Sequence, residues 1–95
     1  MGNSKYMPTY IVTFEVGAAR LPLFKEALKS FSGYCPINST SCAITADSAK
    51  AVEVINILKA KINATDRLFV IRSGTDAAWL NAYGEKNDDW LKKYL

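Results

Sequence analysis

Polar and apolar residues alternate most regularly from Thr9 to Val16, TYIVTFEV, where seven of eight residues are β-branched or aromatic and Glu15 is the only charge. A period of two predicts a strand with Tyr10, Val12, Phe14 and Val16 on one face and Thr9, Ile11, Thr13 and Glu15 on the other. The period then changes. Leu21, Phe24, Leu28 and Phe31 recur at helical spacing, predicting a helix from Leu21 to about Phe31 with Pro22 in its first turn and Gly33 as a left-handed cap. Tyr34 to Ala46 reads as a hairpin: Tyr34 to Ile37 outward, a turn at Asn38-Ser39, and Thr40 to Thr45 returning, which sets Cys35 opposite Cys42. Asp47 or Ser48 caps a second predicted helix, Ala49 to about Ile62, with Val52, Ile55, Leu58 and Ile62 as its buried stripe. Arg67 to Arg72, RLFVIR, is the last strand, with Leu68 and Val70 on one face and Phe69 and Ile71 on the other. A helical turn over Ala77 to Tyr83 and a final helix from about Asp88, capped by Asn87, complete the chain. Residues 1–8 are expected to form a flexible leader and 74–95 a C-terminal extension.

The order strand, helix, strand, strand, helix, strand predicts an α+β domain of ferredoxin-like βαββαβ type, a four-stranded antiparallel sheet with two helices on one face. Right-handed crossovers place the first strand between the third and the fourth, so Ile11, Thr13 and Glu15 lie on the open face. The last strand is apolar on both faces. Its open side requires a cover, either a second subunit or the chain's own tail.

Ninety-five residues make one domain, and a hydrophobic fraction of 49% with 22% charged residues excludes wholesale disorder. Twelve basic against nine acidic residues leave a net charge of +3, compatible with nucleic acid but far from a dedicated binder. The sequence contains no histidine, which removes Ser-His-Asp and Cys-His catalysis and every histidine metal site. No apolar run reaches membrane-spanning length and no secretory signal pattern is evident, so the expected compartment is the cytoplasm. There Cys35 and Cys42 are expected as free, packed thiols; two cysteines alone do not make a structural zinc site.

YIVTFEV (Tyr10 to Val16), NSTSCAIT (Asn38 to Thr45) and DRLFVIR (Asp66 to Arg72) resemble segments of the Cas2-like superfamily, in particular its small SinR-like bacterial and phage members. The tail continues the resemblance, with AAW at Ala77 to Trp79 and DWLKKYL at Asp89 to Leu95. The likeness implies a homodimer of ferredoxin-like domains. In Cas2 proteins an aspartate ending the first strand of each subunit is proposed to hold a divalent metal for phosphodiester cleavage. The matching position here is Glu15, one methylene longer. Other members act as clamps on DNA without cleaving it.

Three function classes follow. The first is a Cas2-like homodimeric binding or assembly module, with DNA or RNA as a partner and no turnover of its own. The second is an Mg²⁺-dependent endonuclease, acting on RNA or DNA, that uses Glu15 from both subunits as catalytic and metal-binding carboxylates. The third is a phage or mobile-element accessory protein that binds a host protein or a nucleotide to modulate defence. Against the second stands the reading of Glu15 as a surface carboxylate paired with Arg20 or a lysine, with Asp76 the nearest candidate second acid. Arg20, Arg67 and Arg72 are the candidate nucleic-acid contacts, joined by Lys25, and Ser73-Gly74-Thr75 is a candidate anion loop at the start of a helical turn.

Overall fold

A computed structural model describes residues 7–47, 50–74 and 76–95. Four strands, β1 (Thr9–Glu15), β2 (Gly33–Asn38), β3 (Ser41–Thr45) and β4 (Arg67–Arg72), form one antiparallel sheet in the order β2-β3-β1-β4. Helix α1 (Leu21–Lys29) joins β1 to β2. Helix α2 (Ala51–Leu58), extended by a 3₁₀ turn over Lys59–Lys61, joins β3 to β4. Helix α3 (Gly84–Tyr94) ends the chain. This is the ferredoxin-like arrangement that the element order predicts, with a C-terminal helix added. Among the described residues no helix is long and apolar enough to cross a membrane.

The alternation of β1 settles which side of the sheet is core. Tyr10, Val12 and Phe14 are buried with Phe24, Leu28, Cys42, Ile44, Val54 and Leu58 between sheet and helices. Helix α1 presents Phe24 and Leu28 inward and sets the Phe24 ring against that of Phe14, tilted by 56° at 4.9 Å between centroids. Helix α2 is turned relative to the predicted stripe. It buries Val54 and Leu58, whereas Val52 and Ile57 are about half exposed. Its run AVEVINIL is apolar at six of eight positions, so periodicity alone fixes no phase. Its N-cap is Lys50, whose N–H donates to the Glu53 carboxylate at 3.4 Å. Ser48 lies outside the described residues, as does the leader up to Tyr6. Met7 and Pro8 are already engaged: Ser32 Oγ donates to Met7 Sδ at 3.0 Å and Ala46 N–H to the Pro8 carbonyl at 3.2 Å.

The hairpin register differs by one residue from the expected one. Asn38 pairs with Ser41, and its side-chain oxygen accepts from Thr40 N–H at 3.0 Å and Ser41 Oγ at 2.8 Å, moving the turn to Ser39-Thr40. Cys35 therefore faces Ala43, and Cys42 faces Pro36. The two thiols lie on opposite faces of the sheet because successive residues alternate. Gly33 is no helix cap; it is the first residue of β2. A Cβ there would collide with Thr45 Oγ1 and stand 3.1 Å from Trp90 Cζ2.

The tail covers the open face, but not where β4 needs it. Residues 76–83 form no helix; Asn81 and Gly84 take positive φ, and α3 starts four residues earlier than predicted. Asn87, read as a cap, sits inside α3 and donates its amide to the Tyr83 carbonyl at 2.7 Å. A second core forms under α3, with Leu91 and Trp79 packed on Cys35, Ala43 and Ile11. Trp79 Nε1 donates to Asp88 at 2.8 Å, and Asp88 also holds Lys92 at 2.8 Å. Strand β3 is thus buried throughout, while Phe69 and Ile71 on β4 stay 58% and 52% exposed.

Candidate functional site

Glu15 ends β1 on the open face, and the sheet register sets it directly across from Arg67 at the start of β4. Arg67 Nη1 donates to Glu15 Oε1 at 3.1 Å, both side chains being largely exposed. Glu15 is therefore paired as a surface carboxylate, with Arg67 rather than Arg20 as its partner. Such exposed pairs contribute about 0–1 kcal/mol. The pair borders an open groove of about 430 Å³, lined by Phe14, Val16, Ser39, Thr40, Thr65 and Asp66 among others.

A divalent metal at Glu15 needs further oxygen ligands, and the donor set of one chain does not supply them. Asp66 is the acid at this end of the sheet. Its Oδ1 accepts from Gly17 N–H at 3.2 Å and its Oδ2 from Asn63 N–H at 2.8 Å, so it braces the turn into β4. Asp76 follows the far end of β4, beyond Arg72, which pairs with Tyr10 at the opposite end of β1 from Glu15. Among the described residues no three His, Cys, Asp or Glu side chains gather to hold a metal. With the Arg67 guanidinium against Glu15 and both Asp66 oxygens accepting backbone N–H groups, the site does not fit Mg²⁺ within one protomer.

The basic candidates divide between the two ends of the sheet. Arg67 and Arg72 lie at opposite ends of β4, five steps and roughly 17 Å apart. Arg20 belongs with Arg67: it precedes α1, and its N–H donates to the Gly17 carbonyl beside Asp66. Lys59 and Lys61 sit in the 3₁₀ turn that ends α2, which packs beside α1 ahead of the turn into β4. Lys25, a turn into α1, lines a separate shallow groove. The expected anion loop loses its basis, because residues 76–83 form no helix and Ser73 N–H donates to the Thr9 carbonyl at 2.8 Å. Thr75 lies outside the described residues.

Both cysteines are free and buried. Burial pushes the Cys42 thiol up to about 12, with the Cys35 sulfur adding to the shift, and burial also raises Cys35. The thiolate is the reactive form, so neither is a nucleophile in the folded chain. Maleimide labelling at neutral pH should leave both unmodified in native buffer and modify both in urea, with the rate following unfolding by circular dichroism. Rapid labelling of Cys42 in native buffer would contradict its burial.

No protein-family model matches the chain, and no curated protein matches it.

Proposed function

We propose that this protein is a homodimeric, Cas2-like binding and assembly module of the cytoplasm that contacts nucleic acid through basic residues, Arg20, Lys59, Lys61 and Arg67 among them, and carries out no turnover of its own. The observation that carries the reading is the bare apolar strip on β4. The tail covers the open face over β3 and around Cys35, Ile37 and Ile11, yet leaves Phe69 and Ile71 in water beside the covered region. Exposed apolar surface next to a finished core is the usual mark of a partner surface. Segments resembling Cas2-like proteins, in which paired subunits hold DNA, support a second copy as that partner. Arg20, Lys59, Lys61 and Arg67 supply phosphate-binding charge. The Glu15–Arg67 pair supports binding over cleavage, because it commits the one family-position carboxylate to a cation already in the protein.

Sedimentation velocity at micromolar concentration tests the reading. The wild-type chain should run at twice its 10.5 kDa mass, and Phe69→Glu/Ile71→Glu as a monomer, its association weakened at least about 100-fold by charge placed in an apolar contact. The affinity of the dimer for duplex DNA should fall steeply with salt as counterions are released. A wild-type monomer, or a DNA affinity insensitive to salt, would overturn the proposal.

A further inference from the structure

The tail does not pack flush against the sheet. Between them runs a cleft of about 400 Å³, floored by Ile11, Ile37 and Ile71 and walled by Trp79, Leu91 and Leu95. Packed layers leave few voids larger than a water molecule, whereas a solvent-open space of this size between apolar walls has the dimensions and lining of a small-molecule site. Small residues keep it open. Gly74, Ala77 and Ala78 line it where the chain leaves β4, and a Cβ added at Gly74 would meet nothing within 4 Å. The cleft shares no residue with the groove beside Glu15.

Polar groups reach the cleft from one end, through Arg72, Ser73 and Asp76. Strand parity removes the first of these as a charge. Arg72 pairs with Tyr10, and both alternate with Ile71 and Ile11 onto the helix side of the sheet, in step with Leu68 and Val70. Arg72 therefore lends the cleft its main chain and directs its guanidinium to the other face. Among the described residues, Asp76 is left as the charged side chain at the mouth, and no ion pair there involves it. Ser73, whose N–H is tied to the Thr9 carbonyl at 2.8 Å, holds a hydroxyl at the same end.

We infer that this cleft binds a small organic cation, an ammonium group carried on an aromatic or branched apolar body. The body lies between the isoleucine floor and the Trp79 wall, where it gains by leaving water. The ammonium sits at the mouth, where it donates to the Asp76 carboxylate and the Ser73 hydroxyl and keeps part of its hydration. A carboxylate or phosphate head would meet like charge at Asp76, so a free nucleotide is the wrong sign for this site. The inference goes beyond the binding and assembly reading and does not depend on dimerisation, because Phe69 lies outside the cleft and only Ile71 belongs to both surfaces.

NMR titration of the full-length chain with phenethylamine, phenethyl alcohol and hydrocinnamate tests the site and its sign, since the three carry one phenyl body on a cationic, a neutral and an anionic head. The amine should shift the Ile71, Gly74 and Ala78 amides and the Trp79 indole signal saturably below about 10 mM. It should bind about three- to fivefold more tightly than the alcohol, the discrimination of one exposed ion pair, with the acid weakest. Asp76→Asn should bring the amine down to the alcohol, and Asp76→Lys should place the acid above the amine. Asp76 is exposed, so both variants should keep the circular dichroism of the wild type. No saturable shift at these signals with any of the three probes overturns the site. Equal affinity for amine and alcohol, or an order unchanged in Asp76→Lys, overturns the assignment of an ammonium ligand.

Discussion

Phe24→Ala is expected to cost about 3–5 kcal/mol, the usual penalty for emptying a phenyl-sized site in a packed core. Phe24 is fully buried and packed edge-tilted against Phe14, and it is half of the buried pair by which α1 holds the sheet. A helix of nine residues has almost no stability of its own in water, so α1 exists because this face packs. Domains of this size are stable by about 5–15 kcal/mol, so the substitution removes a large share of the total. Each kcal/mol lowers Tm by about 4–8 °C at this chain length. Leu23→Ala, one position earlier and half exposed, is the control and should stay within about 0.5 kcal/mol of wild type. Urea unfolding of the three proteins settles the matter. Equal midpoints for the two variants would mean that α1 is held by something other than its buried stripe.

What the sequence made legible was the part governed by short, clean periods. Strand β4 matches its predicted limits, because its apolar run is bounded by an arginine at each end, and β1 ends one residue early, its period-two alternation admitting one reading. The inward face of α1 was equally plain because Lys25, Glu26 and Lys29 left one stripe. Legibility failed where several residues satisfied the same rule. In α2, the sets containing Val52 and Val54 both fit a helical stripe, and only the sheet beneath chooses. In the hairpin, Asn38 was read as a turn residue, but its side chain caps the turn from the strand end and displaces the pairing by one. Gly33 signalled a helix end by type, yet its use is the close approach of Thr45 and Trp90, a contact between segments far apart in sequence. The candidate site shows the same division. Glu15 was recognisable from its place at a strand end, whereas its partner Arg67 depends on which strands become neighbours. Sequence reasoning assigned the cover of the last strand to a subunit or the tail. The structure divides the open face, giving β3 to the tail and leaving β4 bare.

That division makes the tail a separable second core, and Leu91→Ala should show it. Leu91 is the one fully buried side chain of α3, set among Cys35, Ala43 and Trp79. Its truncation should cost about 2–5 kcal/mol, with the effect concentrated on docking of the tail because the main core lies on the other face of the sheet. The two thiols report the two cores independently. In Leu91→Ala, Cys35 should become open to maleimide in native buffer while Cys42, beneath the helices, stays protected, and Trp79 and Trp90 fluorescence should shift to the red. Acid should act on the same latch. The hydrogen bond from Lys92 and that from Trp79 hold the Asp88 carboxyl below its ordinary value. A depressed folded pKa contributes stability above the unfolded value, about 3.9, and loses it as pH falls through the folded one. Lys92 is raised by the same bond, so its share is present below the ordinary lysine value and lost only as pH rises through the folded one. Cys35 labelling in Leu91→Ala should therefore vary little with tail docking near neutrality, after allowance for thiol ionisation, and the tryptophan shift should grow below about pH 4. If both thiols became reactive together, the tail and the main core would be one cooperative unit, and the second core would not be separable.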